Sequence, residues 1–296
     1  MDSNLVIVAS ELVHFDSDLP HYKTKDGVYR DPSVNGRIVS PTLMWLEALD
    51  LILQRLSKSN LDFGKIAAVS GSGQQHGSVY WKNGSSALLS SLDPKKPLVD
   101  QLGNAFSFNE SPIWMDCSTT AQCREIEKAV GGALELSKIT GSRAYERFTG
   151  PQIRKIFETQ PEVYKNTERI SLVSSFMACL FIGAYACIDE TDGAGMNLMD
   201  IKQRAWSKIA LEVCLACYLI GFFCFFINPR LLLIDFSYVN DVILNFKPFI
   251  KLMIMFNFNF VTGYSSRSGG KAWKASSCTC SCCFYCFLFV ERKRRC

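Results

Sequence analysis

The stretch that most limits what this chain can fold into is Ile66–Lys82, IAAVSGSGQQHGSVYWK. An apolar run with β-branched members leads into a glycine-rich polar loop, and Val79, Tyr80 and Trp81 then resume an extended pattern. A buried strand is therefore expected to deliver a polar loop to a sheet edge and return as a second strand. Glycines at 71, 73 and 77 let the backbone turn tightly and approach a ligand, while Gln74, Gln75 and His76 supply donors and acceptors. That inventory suits a polyhydroxy compound. It does not suit a nucleotide, because no Gly-Lys-Ser/Thr follows and the spacing is G-x-G-x-x-x-G rather than the dinucleotide form. The residues alone leave a second reading open, a turn histidine satisfied by its own loop.

Around this stretch the chain alternates strands and helices. Leu5–Phe15 alternates well enough for an extended strand. Ser40-Pro41 supplies an N-cap and a first-turn proline, and Leu43, Leu46, Leu49, Ile52, Leu53 and Leu56 follow at helical spacing. Strand, helix and the Ile66–Ser70 strand in succession predict an α/β layer. Pro112–Ser118 reads as a strand ending in Asp116, at the strand-end position where α/β sheets meet ligands, followed by a helix capped by Ser118 or Thr119. Gly131-Gly132 breaks that helix, and Leu134–Ile139 makes another closed by Gly141. In GSRAYERFTGPQIRKIF, Arg147 and Thr149 precede a helix opened by Gly150-Pro151 and carrying Lys155. Arg169–Ser175 reads as a strand and Phe176–Ala184 as a buried helix. The acidic turn Asp189–Ala194 has the composition of a Mg²⁺ or polar-ligand loop, but an aspartate capping nearby amides is commoner, so Asp192 is expected to be structural. A last helix begins near Lys202 and is interrupted at Glu212.

Composition breaks at that point. Residues up to Glu212 carry 22 basic and 25 acidic side chains; from Val213 onward there are 10 and 3, together with nine of the 13 cysteines and 13 of the 21 phenylalanines. Two different compositions have been joined. Cys117, Cys123, Cys179 and Cys187 show no paired spacing, which fits a reducing cytosol, and Met1-Asp2 opens nothing like a signal peptide.

SGSGQQHGSVYW, PIWMDCSTTAQCREIE, GSRAYERFTGPQIRKIFE, ERISLVSSF and DGAGMNLMDI together closely resemble the FGGY carbohydrate kinases, over about Leu5 to Glu212. The resemblance implies an α/β fold, the actin-like, ribonuclease-H-like N-terminal domain of a sugar kinase, with a sugar held by this domain and ATP mostly by a second. D-xylulose is the implied sugar, phosphorylated at O5 with ATP and Mg²⁺. Carried over by motif, Gln75 and His76 match the sugar-binding loop, Arg147 matches a sugar-contacting arginine, and Asp116 lies on the same cleft wall. Nucleic acid and membrane are not expected partners; a full-length kinase is.

The chain also departs from the pattern. Family members open with an Asp-x-Ser/Thr hairpin facing the phosphates and Mg²⁺, and this sequence begins after it, so the domain is expected to be incomplete, its first strands absent. Buried ladder groups left unpaired cost about 1–3 kcal/mol each, against a usual domain stability of about 5–15 kcal/mol. The family's Gly-Asp-Asn segment, whose aspartate is the general base, has no counterpart after Glu212, so no catalytic, ATP or metal residue is assigned. The expected organisation is residues 1–212 as a partial sugar-binding domain, 213–263 as an apolar, intron-like tail and 264–296 as a cysteine-rich, out-of-frame-like tail, the tail being disordered. An intron's opening GT would be read as Val213, and Ser266–Cys278 can be encoded by codons that, re-read one nucleotide later, give PGLEEKLGKLAP, a charge-patterned helix. Two alternatives stand beside an inactive kinase fragment: a non-catalytic sugar-binding or regulatory fragment, and a membrane-tethered product using Val213–Ile227, with the Cys278–Cys286 cluster as a soft-metal site.

Overall fold

The structure is a computed structural model describing residues 6–59, 61–66 and 68–215, together with the tail strands Ile227–Asn228, Ile234–Asp235, Lys251–Leu252, Cys283–Phe284 and Cys286–Phe289. The N-terminal alternation yields much less strand than it predicts: β1 is only Val13–His14, and Val6, Ile7 and Val8 are more than half exposed. A period-two pattern makes a strand only where a neighbour accepts its ladder, and residues 7–12 belong to no strand ladder among the described residues. Helix α1 (Phe15–Asp18) and β2 (Tyr29–Arg30) follow, and β3 (Ile38–Pro41) pairs antiparallel with β2. Ser40 is the third residue of β3 and not a helix cap; its Oγ donates to the Gly27 carbonyl. Pro41 stands at the N-cap of α2 (Thr42–Lys58), whose leucine stripe puts Leu46, Leu49, Ile52 and Leu56 in the core.

The central sheet is built on β5 (Ser78–Lys82), reached from β4 (Ala68–Gly71) through the glycine-rich loop. Helices α3 (Ser85–Ser90) and α4 (Leu98–Leu102) connect β5 to β6 (Phe106–Phe108), which pairs with it antiparallel; β7 (Glu110–Pro112) joins β3 instead. After α5 (Thr120–Ala129), α6 (Ala133–Thr140), α7 (Thr149–Thr159) and α8 (Pro161–Lys165), β8 (Thr167–Leu172) closes the other side of β5, Ser78 opposite Leu172. The β5 pleat divides two cores: Val79 and Trp81 face one with Trp45 and Phe176, and Tyr80 faces the other with Ile126, Ile153 and Ile170. A strand buried on both faces is the layered α/β arrangement the sequence predicts.

Helix α9 (Val173–Ile182) begins three residues earlier than its apolar content suggests, because Ser175 Oγ caps the Leu172 amide and ends the strand there. Strand β9 (Ile188–Asp189) leads into α10 (Glu190–Ala194); β10 (Met199–Asp200) and β11 (Ala205–Trp206) form a hairpin where a helix from Lys202 is expected. Asp200 Oδ1 accepts the amides of Lys202 and Gln203 and turns the chain, so α11 spans Lys208–Leu215. It runs through the compositional break: Cys214 is fully buried in the second core.

Strand β4 pairs antiparallel with Cys286–Phe289, and Cys283–Phe284 pairs with β1. Backbone of the tail thus supplies a ladder to β4 and to β1. Apart from the end of α11 and the short strands named, the tail lies outside the described residues, and with it most of the Val213–Ile227 segment and the expectation of disorder. Among the described residues no helix is long and apolar enough to cross a membrane, and no group of three or more His, Cys, Asp or Glu is placed to hold a metal ion.

Candidate functional site

The loop between β4 and β5 turns on His76 itself. Gly71, Gly73 and Gly77 keep negative φ, while His76 takes the left-handed conformation at φ 64°. The glycines serve close approach. A Cβ on Gly73 would lie 2.4 Å from the Ser174 amide nitrogen, and one on Gly77 would lie 2.7 Å from Val173 Cγ2, so the loop backbone rests on the first turn of α9. A left-handed non-glycine residue costs on the order of 1 kcal/mol and persists where its surroundings hold it. Here Thr149 Oγ1 donates to the His76 carbonyl at 3.3 Å, and the imidazole packs against Phe148 with centroids 4.7 Å apart. His76 is 8% exposed, and burial, reinforced by the neighbouring Arg147 charge, pushes its pKa down to about 4 against an opposing backbone contact from Gly195. At neutral pH the ring is an uncharged donor and acceptor.

Arg147 comes from the segment that opens α7, two residues from the Thr149 that holds the His76 carbonyl. Its guanidinium lies 4.9 Å from the Tyr145 ring centroid and 5.9 Å from that of Trp114, and it donates to Tyr145 Oη at 3.5 Å. One of five N–H donors is spent on that bond, and the aromatic faces hold the plane of the rest. The Arg147 charge is close enough to act on the His76 imidazole, and Phe148 and Thr149, one and two residues beyond Arg147, touch His76, so the two groups share one wall. Gln75 lies beside His76 at the exposed crest of the turn, and Gln74 is half-buried behind it.

Asp116 sits in a different setting from the one its strand-end position predicts. The strand stops at Pro112, and a turn closed by the Asp116 amide on the Ile113 carbonyl carries the aspartate inward to 1% exposure. Oδ2 accepts from the Ile38 amide at 2.9 Å; Oδ1 accepts from the Ser118 amide at 3.0 Å, Ser118 Oγ at 2.6 Å and Gln152 Nε2 at 2.8 Å. Gln152 also donates to the Glu146 carbonyl at 3.0 Å, so the carboxylate braces the residue next to Arg147 through one side chain. Ser118 is spent on this bond and on Lys155 Nζ at 2.5 Å rather than on capping, and Thr119, at the N-cap of α5, makes no side-chain cap. Burial pushes the Lys155 ammonium pKa down, opposed by Asp116.

The acidic turn is also rearranged relative to its sequence reading. Asp189, not Asp192, caps α10, accepting the Thr191 amide at 2.8 Å. Asp192 accepts from Ser174 Oγ on α9, and burial, with the Asp189 charge adding to it, pushes its carboxyl up to about 6. The turn it begins brings Gly195 against His76. Phe148 and Tyr145 flank Arg147 in the sequence and were legible there as aromatic neighbours of a cation; Gly195 carried no such signal, since its part depends on a ring more than a hundred residues away.

Residues 104–216 match the N-terminal domain of the FGGY family of carbohydrate kinases. Over these residues the chain is similar to the N-terminal domain of that family of carbohydrate kinases, and the α/β sheet described above has the same fold as solved members. It is 77% identical over 212 residues to xylulose kinase 2 of Arabidopsis thaliana, covering 72% of this chain and 38% of that protein. To the xylulose kinase of Mus musculus it is 55% identical over 214 residues, 72% of this chain and 39% of the relative. The chain thus spans about two fifths of the length of these relatives. Among solved structures, a ligand-bound xylulose kinase from Lactobacillus acidophilus superposes with a TM-score of 0.53 at 16% identity, covering 77% of this chain and 41% of that one. Glycerol kinase from Plasmodium falciparum with ADP superposes at 0.54 and 14% identity, covering 76% and 40%. Neighbours named for different substrates fix the fold and leave the sugar to be argued from the wall.

Proposed function

We propose that residues 1–212 are the sugar-binding part of a D-xylulose kinase, cytosolic and shortened relative to the enzymes it is similar to, with residues 213–263 and 264–296 as a tail foreign to the family. The observation that carries this reading is the pairing of a neutral, buried His76 with a π-held Arg147 on one wall. The neutral imidazole both gives and takes a hydrogen bond, the guanidinium spans adjacent hydroxyl oxygens, and Gln75 at the crest adds an amide. A polyol with vicinal hydroxyls satisfies all three groups, and a sugar lacking one leaves a buried polar group unpaired, a penalty that discriminates strongly. Asp116 acts behind this wall as a brace on the Arg147 segment. Support for D-xylulose over other polyols comes from the 77% identity to a protein named for that sugar.

The complete reaction requires ATP, Mg²⁺ and a general base, and none of these is assigned to a residue of this chain. Phosphoryl transfer depends on positioning and charge stabilisation, so a sugar wall without those parts gives little rate enhancement. The test has two arms. Isothermal titration of the purified chain with D-xylulose is expected to give binding that His76→Ala weakens, and a coupled assay with ATP, Mg²⁺ and D-xylulose is expected to give no xylulose 5-phosphate above background. Binding of glycerol or gluconate in preference to D-xylulose overturns the substrate, and turnover at an ordinary kinase rate overturns the reading of the chain as a non-catalytic part.

A further inference from the structure

The His76 imidazole is boxed from two sides. The Phe148 ring packs against it, tilted by 49° with centroids 4.7 Å apart, and the α carbon of Gly195 approaches its Cε1–Nδ1 edge: a Cβ there would lie 3.2 Å from His76 Cε1, 3.4 Å from Nδ1 and 3.3 Å from the Asp192 carbonyl oxygen. Gly195 φ is −76°, an ordinary value for any residue, so the backbone does not require glycine; the space beside the ring does. The turn that brings Gly195 there is tied at both ends. The Gly195 amide donates to the Asp192 carbonyl at 3.0 Å and the Met196 amide to that of Gly193 at 3.1 Å, while the Asp192 carboxyl takes the Ser174 hydroxyl from α9. Ser174 is the residue whose amide nitrogen Gly73 approaches. Loop, helix α9 and the α10 turn therefore meet at Ser174, and the histidine ring fits the gap that their contacts leave.

We propose that Gly195 and Asp192 are positioning residues for the His76 imidazole, Gly195 by leaving room for the ring and Asp192 by fixing the turn to Ser174. The role of that imidazole toward a polyol rests on the reading of the site given above; the positioning does not. A side chain at 195 presses on the ring edge at 3.2–3.4 Å, so the ring has to give by a few tenths of an ångström and loses the direction that its hydrogen bonds need.

Three histidines, His14, His21 and His76, occur in the chain, so ring-carbon NMR of the full 296-residue protein reads His76 against two internal controls. In Gly195→Ala the His76 signals are expected to move, with their titration midpoint rising from about 4 toward the usual 6.5, while His14 and His21 stay in place. The apparent dissociation constant for D-xylulose, read on the same signals, is expected to rise about tenfold, the scale of one lost hydrogen bond. Ser174→Ala is expected to shift His76 in the same direction, and Asp192→Asn, which keeps an acceptor for Ser174, to restore the wild-type signal. Unmoved His76 signals and midpoint in Gly195→Ala overturn the proposal. Should all three histidines in Gly195→Ala shift to unfolded positions, Ser174→Ala decides: a shift confined to His76 supports the positioning role, and an unmoved His76 overturns it. Indifference of the wild-type His76 signal to D-xylulose strikes at the sugar reading alone, since the midpoints still decide the positioning.

Discussion

His76 and Asp192 titrate in opposite senses, which makes their surroundings measurable as stability. Burial lowers His76 from 6.5 to about 4, so between those values the unfolded chain binds a proton that the folded chain refuses, and stability rises with pH by a total of about 3 kcal/mol. Asp192 is raised from 3.8 to about 6, so across nearly the same window the folded chain holds a proton that the unfolded chain releases, and stability falls with pH by a similar amount. The two slopes oppose each other. Relative to wild type, Asp192→Asn is expected to gain stability as pH rises from about 4 to about 6, and His76→Gln to lose it over the same range. Urea unfolding at a series of pH values reads both, and parallel curves for wild type and either variant would show that the corresponding group titrates normally. Asp116 makes a separate prediction. Removing a carboxylate with four hydrogen bonds strands the Ile38 amide and releases Gln152, so Asp116→Ala is expected to cost about 2–4 kcal/mol of stability. D-xylulose affinity measured well below the unfolding temperature is expected to change far less than in His76→Ala; an equal loss of affinity without loss of stability would put Asp116 in direct contact with the sugar.

At the scale of elements, the glycine loop is a packing joint before it is a ligand loop. Gly73→Ala drives a Cβ to 2.4 Å from the backbone of α9, which cannot yield as a flexible side chain would, and is expected to cost about 1–3 kcal/mol. Gly71→Ala meets nothing within 4 Å and is expected to stay within about 0.5 kcal/mol of wild type. Thermal melts of the pair make the comparison, and equal melting temperatures would sink the account of the loop as seated on α9. The same contrast marks what the sequence reveals of this fold. The α2 stripe, the Gly141 stop of α6 and the apolar Val79-Tyr80-Trp81 run of β5 are local patterns, and the chain displays them openly. What it conceals is settled by partners distant in sequence: the N-terminal alternation needs a neighbouring strand, and Ser40, Ser118 and Asp192 bond across the fold to Gly27, Lys155 and Ser174 instead of capping the helices beside them. Of the wall, His76 and Arg147 are legible by motif, while the use of Asp116 and the approach of Gly195 are not, because both are consequences of the turns around them.

At the scale of the molecule, the chain spans 38% of the Arabidopsis relative to which it is 77% identical, so its wall is best tested inside that longer frame. Grafting residues 5–212 of this chain in place of the matching residues of the relative, and leaving the relative's own ends, supplies the strands, base and nucleotide domain that this sequence does not display. Such a chimera is expected to phosphorylate D-xylulose with ATP at a rate near that of the relative, since the fold around β5 and α7 is carried intact by the graft. Within it, His76→Ala and Arg147→Ala are each expected to lower kcat/KM by about 1–3 kcal/mol, through lost hydrogen bonds to hydroxyls that the closed cleft removes from water. Arg147→Lys should recover little, because an ammonium reproduces neither the fork nor the stacking on Tyr145 and Trp114. Tyr145→Ala should fall between the two, acting through the freedom it gives Arg147, with KM rising more than kcat falls. Steady-state kinetics on D-xylulose, with glycerol and gluconate as competing substrates, decides among these outcomes. If both His76→Ala and Arg147→Ala leave the kinetics untouched while Gly73→Ala still lowers the melting temperature, the loop is a joint between strand and helix and the sugar is held elsewhere in the cleft.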